Sequence, residues 1–144
     1  MKQEPPPSAD LTQSGLRHYV HPMFYTYIIC NGRNGALYTG HTDDIGLRME
    51  QHRAGRFAGF SKTYGCKYLV WFETHETRDA AFKRERQIKK WNRGWKLRLI
   101  EAENPHWIDI NMCPQWPLPK EPIFAEFRAQ IIAQYAAEVR AAQP

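Results

Sequence analysis

Cysteine is scarce in this chain: Cys30, Cys66 and Cys113 are scattered and odd in number, and no CxxC pair is among them. That usage signals neither a zinc knuckle nor a disulfide framework, and a reducing compartment is the simple reading. Long apolar runs are missing as well. No stretch of about 18 consecutive apolar residues exists, so no membrane span is expected. The opening MKQEPPPSADLTQSG lacks the apolar segment of a secretory signal. No internal repeat is found. These absences set the expectation of a soluble, cytoplasmic protein.

Positive charge and aromatic surface are plentiful. Twenty Lys and Arg oppose fifteen Asp and Glu in 144 residues, a formal charge of +5. An excess of that sign favours acidic partners, nucleic acid first. Aromatics make up 13% and include five tryptophans, side chains that either pack a small core or stack on bases. The length fits one domain with tails.

Residues 1–21 are polar and proline-bearing and read as a flexible arm. An ordered unit is expected over 22–110. Within it FYTYIIC (24–30) is β-branched and aromatic, hence strand-like. NGRNG (31–35) predicts a hairpin, since Asn and Gly accept the positive φ angles of tight turns, and ALYTG (36–40) returns as a second strand. Thr42 or Asp43 is placed to cap a helix over about 43–54, which Gly55 ends. Asp43 and Asp44 are read as helix-start residues, not as catalytic acids. GRFAGFSKTYG (55–65) reads as a loop and KYLVWFE (67–73) as a third strand. Thr74 or Thr77 caps a helix over about 77–92, and another over about 94–103 stops ahead of Asn104-Pro105. Five prolines make 111–122 and its approach a connector, and 123–142 carries an amphipathic pattern on Ile123, Phe127, Ile131 and Tyr135, with Phe124 and Ile132 beside them. That helix is expected to dock on the domain or on a partner, a second copy included.

Several side chains can carry chemistry. Arg48 and His52 are four apart and share one helix face. A guanidinium offers a planar fork that suits a phosphate, and imidazole relays protons near neutral pH. The plain alternative is a solvated helix face. Glu85 is the single acid in KRERQIKKWNRGWKLR (83–98), on or beside the stripe formed by Ala81, Ile88 and Trp91. An inward carboxylate needs compensation. It is either an internal ion pair with Arg48 or a nearby lysine, or a ligand for Mg²⁺, which prefers hard oxygens and keeps several waters. Trp91 and Trp95 read as packing residues. Tyr27 and Tyr38 lie on the two hairpin arms; strand tyrosines usually pack, but a phenol beside a cation loses its proton more easily and can activate water.

Taken together, Tyr27, Tyr38, Arg48, His52 and Glu85 resemble the GIY-YIG nucleases. Tyr25-Thr26-Tyr27 stands for the first motif, which keeps only its tyrosine, and Tyr38-Thr39-Gly40 for the second, which keeps tyrosine and glycine. The stretches GFSKTYG, KRERQIKKWNRGWKLRLIE and ENPHWIDI are similar to small single-domain bacterial members, so the likeness covers Phe24 to Ile110. His41 departs from relatives that carry an apolar residue or lysine there, and the late asparagine of the family is assigned to Asn104 ahead of Asn92.

The resemblance implies an α+β domain, a three-stranded antiparallel sheet flanked by helices, here with an added amino-terminal arm and carboxy-terminal helix. It implies metal-dependent hydrolysis of DNA with Mg²⁺ or Mn²⁺, in repair, recombination or restriction. Glu85 is then the metal ligand, and Tyr27, Tyr38, Arg48 and His52 the other catalytic residues, supported by His41 and Asn104. Arg53, Arg56, Lys62, Lys89, Lys90 and Arg93 are expected to contact the DNA backbone. The rival reading is a non-catalytic nucleic-acid-binding module or adaptor that uses the same basic surface.

Overall fold

The computed structural model describes residues 23–56 and 59–142; the arm expected over 1–21 lies outside them. Three strands form one antiparallel sheet: β1 (Phe24–Cys30), β2 (Leu37–Thr42) and β3 (Tyr68–His75), in the order β2-β1-β3. The α+β reading holds. Strand β2 is therefore an edge, and it runs past the expected Gly40 to include His41 and Thr42. The hairpin joining β1 and β2 also forms, but by a different device. No residue of 31–35 has positive φ. Instead Asn31 Oδ1 accepts the Ala36 N–H at 2.9 Å, and Gly35 N–H bonds Gly32 O at 3.1 Å. A polar side chain closes the connection, as asparagine does in Asx turns.

Each face of the sheet is covered. Helices α3 (Arg78–Lys89) and α4 (Arg93–Glu103) lie over Ile28, Cys30 and Val70, in a core with Ile88, Trp91, Leu99, Ile100 and Trp107. On the opposite face Tyr27, Ile29 and Leu69 meet Met49 of helix α1 (Ile45–Arg53). Thr77 caps α3 as one of the two expected candidates. The cap of α1 is Asp44, whose side chain accepts from Leu47 N, while Thr42 Oγ1 accepts from Asp44 N. The expected cap was one residue or two early because β2 consumes Thr42 and only then releases the chain. Gly55 ends α1 at φ +68°, with Arg56 N–H bonded to Gln51 O, the Schellman arrangement in which glycine avoids the Cβ penalty. The stretch expected to be loop contains a short helix, α2 (Phe60–Tyr64), closed by Gly65 at φ +65°.

The carboxy-terminal helix is broken, not continuous. A 3-10 turn at Pro122–Phe124 leads into α5 (Ala125–Tyr135), and α6 (Ala137–Ala141) follows. The reason is a competing donor: Tyr135 O accepts the Asp109 N–H at 2.8 Å, a bond from outside the helix. The break lets Ile131 and Ala136 pack on Ile108 while Val139 enters the core under α4. Of the expected stripe, Phe127, Ile131, Ile132 and Tyr135 pack against the domain, but Ile123 stays 85% exposed. Among the described residues no helix is long and apolar enough to cross a membrane.

Asp109 joins these parts. Its carboxylate is buried, accepts the Leu69 N–H at 3.1 Å and pairs with Arg53 of α1. Burial raises the carboxyl above the ordinary aspartate value, against the pull of Arg53 and of the Leu69 N–H. Asp109→Ala strands a buried N–H and a cation together. We expect it to cost about 2–3 kcal/mol, less than a fully buried pair because Arg53 reaches solvent. Urea unfolding checks this, and a loss below about 0.5 kcal/mol, the level of an ordinary surface substitution, contradicts it.

Candidate active site

The site is built on the edge strand. Pairing across the sheet puts residues on alternate faces, and the register sets Tyr27 opposite Gly40 and Thr26 opposite His41. Tyr38 and Gly40 therefore share the α1 face with Tyr27, while His41 points to the α3 face. Helix α1 brings Arg48 and His52; helix α3 brings Glu85 and Lys89, four apart on one stripe.

On the α3 side Glu85 is buried, 8% exposed. Its Oε1 lies 2.6 Å from His41 Nδ1 and its Oε2 2.6 Å from Lys89 Nζ. Lys89 Nζ also stands 5.9 Å from the centre of the Tyr38 ring, and Phe82 packs edge-on against His41. On the α1 side Tyr27 is fully buried, with its hydroxyl 2.9 Å from His52 Nε2 and hydrogen-bonded to Arg48. The rings of Tyr38 and His52 stand 5.5 Å apart, edge to face. His52 Nδ1 lies 3.0 Å from Ser61 Oγ of α2. His41 ties the halves together: its ring reaches Glu85, and its carbonyl accepts from Arg48 at 3.4 Å.

Burial sets the proton affinities. It pushes the Tyr27 hydroxyl well above the ordinary phenol value, against the lowering effect of the Arg48 hydrogen bond. Tyr38 is raised for the same reason, against Lys89. His52 is lowered from 6.5 to about 4, first by burial and then by repulsion from Arg48, so it is neutral at pH 7.

This depression has a stability consequence. Below pH 6.5 the unfolded chain takes up a proton at this histidine that the folded chain refuses until about pH 4, so stability falls as pH drops through that window. The loss is on the order of 2–3 kcal/mol. Urea unfolding at pH 7.5 and pH 4.5 should show the native chain losing that much more than His52→Gln. Equal losses contradict the assignment.

Set beside known proteins, residues 23–98 match the GIY-YIG catalytic domain. The chain belongs to the GIY-YIG family. The match begins one residue before β1 and ends within α4, so α5 and α6 are outside the GIY-YIG unit. Similar proteins include UPF0213 proteins of Staphylococcus aureus strains Mu3 and N315, each 41% identical over 78 residues, which are 54% of this chain and 93% of those proteins. Their names assign no activity. A solution NMR structure of a UPF0213 protein from Bacillus halodurans is 27% identical, covering 57% of this chain and 86% of that one, with a TM-score of 0.37.

The GIY-YIG residues expected from the sequence converge: Tyr27, Tyr38, Arg48, His52, Glu85 and the supporting His41 all meet at the β2 edge. Asn104 does not. It is buried at the end of α4, where its Nδ2 donates to Val70 O and Ile108 O and its Oδ1 accepts from Ile108 N, a clamp on the chain reversal. Asn92 caps α4. Arg53 pairs with Asp109 while remaining exposed, and Lys89 pairs with Glu85. Arg56, Lys62, Lys90 and Arg93 are exposed. Ser61 escaped the sequence reading; a serine inside a glycine-rich stretch looks like loop, and only its place beside His52 singles it out.

Among the described residues no group of three or more His, Cys, Asp or Glu side chains is arranged to hold a metal. One buried carboxylate with cationic neighbours does not fit a structural zinc site. It fits a hard divalent ion that keeps its waters and takes its remaining ligands from a phosphate.

Proposed function

We propose that this chain is a metal-dependent endonuclease that hydrolyses DNA phosphodiester bonds. The observation that carries the reading is the convergence on β2 of one buried carboxylate, one guanidinium and two phenols, the parts that phosphate chemistry needs. Glu85 would hold Mg²⁺ or Mn²⁺, which when bound supplies Lewis-acid charge at the phosphate. Arg48, held between the Tyr27 hydroxyl and the His41 carbonyl, presents donors to the charge that develops on the phosphorus centre. Tyr38, only half-buried, orients or deprotonates the attacking water, while buried Tyr27 and His52 support Arg48 from beneath. Lys89, with 49% of its side chain exposed, can turn from Glu85 toward a backbone phosphate. Arg56, Lys62, Lys90 and Arg93 supply further phosphate contacts.

The test is cleavage of supercoiled, branched and single-stranded DNA with Mg²⁺ or Mn²⁺, with binding followed in parallel across salt. We expect strand breaks that a chelator stops. Salt-sensitive binding to every substrate with no breaks would instead establish a binding module.

A further inference from the structure

Ser61 lies in α2, is 3% exposed and faces the buried side of the site. Its hydroxyl stands at the end of a chain of hydrogen bonds that runs from Arg48 through Tyr27 and His52. A guanidinium only donates. The Tyr27 oxygen therefore accepts from Arg48, and its O–H lies within reach of His52 Nε2, 2.9 Å away, the arrangement in which every group of the chain is satisfied when the phenol donates to the ring. Nε2 then carries no hydrogen. Since burial keeps His52 neutral, the one ring hydrogen sits on Nδ1, aimed at Ser61 Oγ at 3.0 Å.

We propose that Ser61 is a positioning residue: it accepts the His52 Nδ1 hydrogen, fixes the tautomer that leaves Nε2 as acceptor for the Tyr27 hydroxyl, and so holds Arg48 in its phosphate-facing place. The role in cleavage rests on the nuclease reading; the tautomer does not. The second partner of an imidazole decides which nitrogen is free, and removing such partners commonly costs ten- to a hundredfold in activity at metal sites, roughly the scale expected here.

The experiment is long-range ¹H–¹⁵N spectroscopy of the histidine rings in the full chain at pH 7, with His52 assigned by its loss in His52→Gln. The native chain should show hydrogen on Nδ1 alone. Ser61→Ala should shift the population toward the Nε2 form, and Ser61→Thr, which keeps the hydroxyl, should not. In the cleavage assay Ser61→Ala should lower kcat about ten- to a hundredfold with KM unchanged, and Ser61→Thr should restore it. Hydrogen on Nε2 in the native chain overturns the proposal, and that measurement decides even if Ser61→Ala does not fold. An unchanged His52 spectrum in folded Ser61→Ala overturns it too. The predicted tautomer in a native chain that never cuts DNA supports Ser61 as the tautomer-setting partner and contradicts the nuclease reading instead.

Discussion

Glu85→Gln is expected to lower DNA cleavage by about 1,000-fold or more while the domain stays folded. Among the described residues Glu85 is the buried carboxylate brought to the β2 edge, and its charge is what a divalent ion needs. Losing the electrostatic help of a metal at a phosphate costs several kcal/mol, and each 1.4 kcal/mol is roughly a factor of ten. The amide keeps the shape, and its oxygen can still accept from His41 or Lys89. Lys89 is half-exposed and can move to solvent, so the substitution leaves no buried cation stranded. Thermal unfolding should therefore shift by no more than the equivalent of about 1 kcal/mol, the worth of an ordinary hydrogen bond. Plasmid nicking rates and a melting curve on the same preparation check both halves. A cleavage rate within tenfold of the native chain removes Glu85 from the chemistry.

Gly40→Ala is expected to disable the site from the other face. A Cβ at position 40 would stand 2.6 Å from the Tyr27 hydroxyl and 2.7 Å from its ring carbon Cζ. Tyr27 is fully buried under α1 and has nowhere to retreat. The glycine is thus required by close approach, not by a turn: Gly40 lies mid-strand, and its φ is not positive. Overpacking of this kind costs about 1–3 kcal/mol. The larger effect falls on function, because displacing the Tyr27 hydroxyl by about 1 Å loosens both His52 and Arg48, and misplacement on that scale can cost on the order of 100-fold. Adding Tyr27→Phe removes the hydroxyl but leaves Cζ in the way, so the double variant should not recover activity. A Gly40→Ala chain with native stability and cleavage rate would contradict this packing account.

Much of this was legible in the residues, and what was not has physical causes. The strands announced themselves through β-branched and aromatic runs, and helix α3 through the spacing of Ala81, Glu85 and Ile88 on one buried stripe. Local signals of this sort survive folding because the pattern and the packing agree. The misreadings arose where a distant group decided. Asp109 N–H captured the Tyr135 carbonyl and broke the last helix. Asp109 also pairs with Arg53, a long-range contact that no local pattern announces. The nearby lysine that the sequence offered as a partner for Glu85 is Lys89, one helical turn on. His41, the departure from the family pattern, turned out to bridge the two faces through its ring and its carbonyl. Ser61 had no signal of its own, since its partner is nine residues away across a loop.

The central claim is that the β2 edge of this GIY-YIG domain cuts DNA through a metal held by Glu85. Its most direct test is to strip the purified full chain with chelator, return Mg²⁺, and follow the conversion of supercoiled plasmid to the nicked form beside an equally folded Glu85→Gln sample. The account predicts no nicking while metal is absent, recovery on Mg²⁺ addition in the native chain, and no recovery in Glu85→Gln although it still binds the DNA. Nicking that persists in chelator, or that returns equally in both chains, would contradict it.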